Sequence, residues 1–353
     1  MLSNQYNIKV SGSAPKIYPT NLFFGLLWYN HDEALEIPVR YPFQGEWGEI
    51  LSNMILLSEE YPMPSTLSLI YLSFVEQKFY GIEADLPKDL LEEIWKLTDN
   101  KTKEPLFSHI VVGMAPFGGI AVWVRGFNKS VLVDWLKGSE IEVAMADFHP
   151  VNPNTTLQEY CDFYINNDSI VKDNLKANGL PPLNLFDKYM QQFTYRYMLL
   201  FEKWNDGEEA KWQKYREDEL KPRFEYIEES LFDGTFDKLH DDGLQKYHEA
   251  GKPKKISIKW HIKKSEYAAY FWFEDEKICS IFERFYGTHP DTKTDFIIRI
   301  DAEKKKYELA LFRHGLKEPQ IISEDAYQLL VFKNKFEDYR SDNYNQERGA
   351  WIW

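Results

Sequence analysis

One order of apolar runs occurs twice in this chain, and that repetition constrains the fold more than any other feature. In the first pass, residues 67–74 (LSLIYLSF) read as a buried strand and residues 74–86 alternate like a half-exposed one. Residues 85–97 then read as a helix, with Pro87 in its first turn and Leu90, Leu91, Ile94, Trp95 and Leu97 along one side. SHIVVGMAP (108–116) and GGIAVWVRG (118–126) form a predicted hairpin, and residues 129–138 close the unit. The second pass repeats this. Strands are predicted over 254–262 and 265–274, then a helix over 275–287 with Asp275 as N-cap and Gly287 as its stop. A hairpin over 294–301 and 307–315 and a strand over 319–323 follow, and residues 324–336 read as helical. The fold expected is α+β, with two antiparallel-sheet lobes of the same order arising by internal duplication.

The segment between the passes differs in composition. Residues 185–204 place Met190, Phe193, Tyr197, Leu200, Phe201 and Trp204 at helical spacing, and residues 207–220, 223–232 and 234–253 read as further helices around Pro222. The expected organisation is therefore an N-terminal lobe over 1–150, an acidic helical insert over 151–252, and a C-terminal lobe with an aromatic tail over 253–353.

Charge and cysteine content narrow the function classes. A formal net charge of -14 and 57 aromatic residues describe a chain with ample core material and an acidic balance. Nucleic-acid binding, which depends on neutralising phosphates, is not expected. Residues 202–249 hold 15 Asp and Glu against 8 Lys and Arg. That stretch, with Glu217, Asp218, Glu219, Glu228, Glu229, Asp241 and Asp242, is either a solvated helix face or a surface for a basic partner. The tail, ending in Trp351, Ile352 and Trp353, either docks on the fold or touches a partner. Cys161 and Cys279 are two free thiols or a single bridge, and neither belongs to a CxxC pair. No run of about 18 apolar residues predicts a membrane span. Residues 1–15 lack a basic start, an apolar run or a lipid-acceptor cysteine. The sequence as it stands reads as cytoplasmic, or as a periplasmic lipoprotein if a leader once preceded it.

Motifs for chemistry are missing. There is no GxSxG elbow, and both cysteines sit among apolar neighbours where a thiol is inert. The histidines (31, 109, 149, 240, 248, 261, 289 and 314) include no HExxH or closely spaced pair. GMAPFGG (113–119) follows a strand, but IAVWV after it is strand-like. A phosphate cradle needs a helix N-terminus there, so a hairpin turn is the better reading. No catalytic, metal or cofactor residue is assigned, and the chain is not expected to be an enzyme.

Four stretches resemble a bacterial family catalogued as domain of unknown function 2931: YNIKVSGSAPKIYP (6–19), GEWG (45–48), YLSFVEQKFYGIEADLP (71–87) and IVVGMAPFGGIAVWV (110–124). Trp47-Gly48 match its tryptophan-glycine. Ser73, Glu76, Lys78, Phe79 and Tyr80 match its strand, and Leu86-Pro87 its helix start. Gly113, Ala115, Pro116, Gly118, Gly119 and Trp123 match its glycine turn and the strand that follows, with Phe117 as an extra residue in the turn. The resemblance covers about residues 6–143. Family members often look like lipoproteins or neighbours of type VI secretion effectors, notably phospholipase-type toxins. The resemblance thus implies an immunity protein that binds a cognate toxin with a basic surface. The alternative is a structural or adaptor protein of the secretion apparatus or envelope.

Overall fold

The computed structural model describes residues 5–52, 59–99, 102–205, 211–215, 222–287, 289–301 and 306–335. The chain forms two compact units. The first comprises residues 1–191 with 231–237, and the second 192–230 with 238–353.

The first unit opens with β1 (Gln5–Tyr6), β2 (Lys9–Ser13), β3 (Thr20–Trp28), β4 (Ala34–Glu36) and β5 (Tyr61–Pro62). It continues with β6 (Thr66–Ser73), β7 (Lys78–Asp85), α1 (Lys88–Trp95), β8 (His109–Ala115), β9 (Gly119–Arg125), β10 (Ser130–Lys137) and β11 (Ser139–Ile141). Besides the short β1–β5 pair, two sheets result, with strand orders β10-β9-β8-β2 and β11-β7-β6-β3-β4. All the neighbours are antiparallel except β2 and β8, which run parallel. Val10, Val112 and Val122 from one sheet and Leu67, Leu69 and Tyr71 from the other share a buried cluster with Leu91, Ile94 and Trp95 of α1. Alternation puts one face of each strand into that core. Pro87 caps α1, and its locked φ of −73° suits a helix start. Leu90 and Leu97 point to solvent, so the apolar side of α1 is narrower than its spacing implied.

Four helices follow: α2 (Met145–Phe148), α3 (Leu157–Asn167), α4 (Ser169–Asn178) and α5 (Leu185–Tyr189). A reciprocal capping box between Thr156 and Glu159 starts α3. Cys161, Leu157, Tyr160 and Tyr164 of α3 lie on Leu72, Phe74 and Phe79, so this helix clothes the sheet face turned away from the core.

The second unit contains β12 (Phe193–Asn205), β13 (Lys211–Lys214), β14 (Arg223–Leu231), β15 (Phe236–Leu239), α6 (Asp241–Leu244), β16 (His248–Ala250), β17 (Pro253–Ile262) and β18 (Ser265–Phe273). It ends with α7 (Asp275–Tyr286), β19 (Thr294–Asp301), β20 (Lys306–Arg313), β21 (Gln320–Ile322) and β22 (Tyr327–Lys335). Its sheets read β13-β12-β19-β20-β21 and β15-β14-β17-β18-β22. Here β12 and β19 form the parallel pair. Trp260, Phe271, Phe282, Phe296 and Leu309 are fully buried in this unit.

Several expectations are corrected. Among the described residues, the insert over 151–252 is helical only in α3–α5 and the single turn of α6. Residues 193–205 and 223–231 are strands. In β12 the side chains of Phe193, Tyr195 and Tyr197 alternate into the core, a two-residue period that helical spacing had masked in an aromatic-rich run. Residues 327–335 form β22, paired with β18 along its whole length, and only Glu324–Ala326 make a helical turn. The N-cap of α7 is Glu274, with Asp275 in the first turn; Gly287 does end that helix at φ 57°. Contacts group the chain into two units that divide after Gln191. Both cysteines are free and buried, and burial pushes each thiol up to about 12.

Candidate functional site

The signature residues of the first unit converge on one place. The turn after β8 bends so tightly that Phe117 adopts φ 59° and Gly118 φ 73°. A β-carbon on Gly118 would lie 2.3 Å from the Gly138 carbonyl oxygen, so glycine is required there. The Glu76 carboxylate holds this turn. It accepts from the Phe117 backbone N–H at 2.9 Å and from the Tyr80 hydroxyl at 2.7 Å. Tyr71 donates to the Ala115 carbonyl at 2.7 Å from the same side. Burial, then the hydrogen bond to Glu76 and its charge, raises the Tyr80 phenol above its ordinary range. Phe117, the extra residue of the turn, therefore takes a strained left-handed conformation that the carboxylate stabilises.

Behind the turn, Trp47 and Trp123 meet edge to face at 4.8 Å between ring centres. Gly113 makes room for both, since a β-carbon there would sit 2.4 Å from Trp123 and 2.7 Å from Trp47. Residues 231–237, which group with this unit, lie against the pair. The Trp123 indole N–H donates to the Asp233 carbonyl at 3.0 Å. Gly48 at φ 81° passes so close to Gly234 that a β-carbon would meet its carbonyl oxygen at 2.3 Å. Lys129 pairs with Asp237, and the Arg125 guanidinium stands over the Phe236 ring at 4.3 Å. Trp47, Gly48, Glu76, Tyr80, Gly113, Pro116, Gly118 and Trp123 thus serve architecture. Lys78 stands apart, in an exposed ion pair with Glu140 at 2.7 Å.

The acidic stretch is not one surface. Glu229 is buried, 3% exposed, inside the second unit. It accepts from the Tyr197 hydroxyl and lies 3.5 Å from both the Tyr195 hydroxyl and His248 Nε2. Burial, then the Glu229 charge, holds the Tyr197 phenol well above its ordinary value. Asp233 is buried. Glu228 is half-exposed and pairs with Lys238 at 3.0 Å. Asp241 is exposed on the rim of a cleft of about 360 Å³ lined by Met198, Phe201, Phe224 and Leu244. Arg196 reaches the same cleft, but Asp295 holds its guanidinium at 2.7 Å. Glu217, Asp218, Glu219, Trp351 and Trp353 lie outside the described residues, as does the side chain of Asp242.

Sequence reasoning missed two groupings. The Tyr195–Tyr197–Glu229–His248 cluster joins three strands, and Glu225, His261 and Glu266 bring ligand atoms within 4.8 Å of one another. Lys259 lies 3.0 Å from Glu266 and 3.6 Å from Glu225. Burial lowers the Lys259 ammonium, but these carboxylates outweigh it and keep the group above its usual value. The protein's own cation therefore offsets one of the two carboxylate charges of the trio and joins it in a charge network. Nothing in the sequence spacing marks either group, because strand pairing alone assembles them.

The outer face of the β17–β18–β22 sheet is the remaining feature. Pairing places Ser257, Tyr270 and Leu330 in one row and Lys259, Ala268 and Phe332 in the next. Trp272 and Tyr270 stack at 5.6 Å, and Phe332 meets the Tyr270 ring edge-on. Leu330 and Phe332 are 42% and 45% exposed, so an apolar strip faces outward here.

No helix among the described residues is long and apolar enough to cross a membrane. Searches of curated proteins and of solved structures gave no match. The model of a family described as "Protein of unknown function (DUF2931)" matches residues 3–181, about half the chain, and reaches past the strands to include α3 and α4. With its signature residues gathered around one turn and one tryptophan pair, this chain belongs to that family.

Proposed function

We propose that this chain is a non-catalytic protein-binding protein, best read as an immunity protein that binds and neutralises a cognate type VI secretion effector. A phospholipase-type toxin is the first candidate. The observation that carries the reading is the outward apolar strip of Tyr270, Trp272, Leu330 and Phe332. Leu330 and Phe332 are exposed beside the half-buried Tyr270 and Trp272, and aromatic groups of this kind act as anchors in protein interfaces. The chemistry of the signature supports it from the other side, since Glu76 and Tyr80 are occupied in holding a turn. Duplication is part of the same proposal. The two units repeat one order of strands and place their parallel pair at the same point of that order. One copy would then be free to specialise in binding while the other keeps the family signature.

The test is co-expression with the products of the genes flanking its own, followed by size exclusion and a growth assay. A stoichiometric complex with restored growth is expected. Binding to a secretion or envelope component without protection would establish the adaptor role instead. Measurable turnover of a lipid or peptide substrate by the chain itself would sink both.

A further inference from the structure

We infer that Glu225, His261 and Glu266 form a site for a divalent transition-metal ion, zinc first, with Lys259 as a built-in competitor for the same space. The inference goes beyond the protein-binding reading and does not depend on it.

The backbone brings the three side chains together. β14, β17 and β18 are neighbours in one sheet, and each supplies one of the three. His261 and Glu266 are direct partners in the β17–β18 register. Cross-strand partners project from the same face, so the intact sheet holds these two side by side. Glu225 Oε2 of β14 lies 2.7 Å from His261 Nε2. The His240 ring donates from Nδ1 to the Glu225 backbone carbonyl at 3.0 Å, which ties β14 down at that residue.

The spacing suits one ion. One ligand atom from each of the three half-buried side chains lies within 4.8 Å of the other two. Around a zinc ion with bonds of about 2.0–2.1 Å, tetrahedral ligand atoms stand about 3.3 Å apart. Small rotations of the two glutamate side chains close the difference with no change in backbone. The donor set selects the metal. One imidazole with two carboxylates suits zinc and its first-row neighbours, whereas magnesium and calcium take oxygen ligands. Three protein ligands leave one corner of the tetrahedron for water or an incoming group.

The charge fits as well. Lys259 Nζ lies 3.0 Å from Glu266 and 3.6 Å from Glu225, so one cation serves two carboxylates. The ammonium stands where a metal ion would bind. It sits on a flexible stem and its side chain is 23% exposed, so it can swing into solvent and leave both carboxylates to a dication. Lys259 therefore weakens the site relative to its donor set alone.

The test titrates the untagged full chain with Zn²⁺ against a chromophoric chelator and follows its melting temperature in Zn²⁺, Mg²⁺ or Ca²⁺. Binding of Zn²⁺ at micromolar affinity is expected, with a melting temperature that rises in Zn²⁺ and not in Mg²⁺ or Ca²⁺. His261→Ala and Glu266→Gln should each weaken binding by more than the ~10-fold that loss of an outer-shell partner costs, and should abolish the rise. Lys259→Met removes the competitor and should tighten binding about 10-fold. Co²⁺ gives a second readout, because a tetrahedral site colours it strongly and water does not. The colour is expected in the wild type and in Lys259→Met but not in His261→Ala. No Zn²⁺ binding by the wild type overturns the inference. Undiminished binding in His261→Ala, or no gain in Lys259→Met, overturns it as well. An equal rise of melting temperature in Mg²⁺ also overturns it, because a general effect of cations on an acidic chain then accounts for the response.

Discussion

The two units share a plan and differ in what they add to it. Each threads two sheets in the same order, with one helix (α1 or α7) between the hairpin of its first sheet and the strands of its second. The first unit adds four helices, one of which covers the outer sheet face, and a glycine turn clamped by Glu76. Among the described residues the second has no such clamp. Its β17–β18 turn carries Lys263 and Lys264, its buried polar centre is Glu229 with two tyrosines, and Leu330 and Phe332 of its outer face are exposed. The comparison teaches that topology follows the order of apolar runs, which both units keep. The signature residues decide local geometry, which only one unit needs.

The sharpest way to break this comparison is Trp123→Ala. It removes a fully buried ring that packs on Trp47 and donates to Asp233, and should cost about 4 kcal/mol. Denaturant unfolding should then split, with hydrogen exchange rising in β8–β10 while β17 and β18 stay protected. A single unsplit transition would mean that the units do not unfold separately. Next is Glu76→Ala, which frees the Phe117 N–H and the Tyr80 hydroxyl and should cost about 2 kcal/mol. Lys263→Ala in the opposite unit's turn should be nearly silent in the same melts.

A third difference is in pH response. His109 of β8 is held at about 4 against an ordinary 6.5, first by burial and then by Lys9 and Arg125. The unfolded chain therefore takes up a proton between those values that the folded chain does not. Its contribution is complete above about pH 6.5 and is lost as pH falls toward 4, by about 1–2 kcal/mol. The first unit should show this slope in its melting temperature, and His109→Gln should flatten it. Smallest is Lys78→Ala, which breaks the exposed pair with Glu140 and should change stability by less than about 0.5 kcal/mol. A larger loss would give this signature lysine a role beyond its ion pair.

The sequence alone determined the strand–strand–helix–strand–strand–strand order in both units, because those runs are short, apolar and bounded by Gly, Pro or charged residues. It also determined the family, since Glu76 clamps one tight turn and Trp47, Gly48, Gly113 and Trp123 are residue types that one close packing of two indoles and a Gly48–Gly234 approach require. Tertiary structure decided the rest. Phe193–Asn205 is a strand because β19 pairs with it in parallel, a partner about 100 residues away that local spacing cannot reveal. Tyr327–Lys335 is a strand because β18 offers an edge. Glu229 is buried and Leu330 exposed for one physical reason. Which face of a strand meets the core is set by its neighbours and register, and those exist only once the sheets have formed.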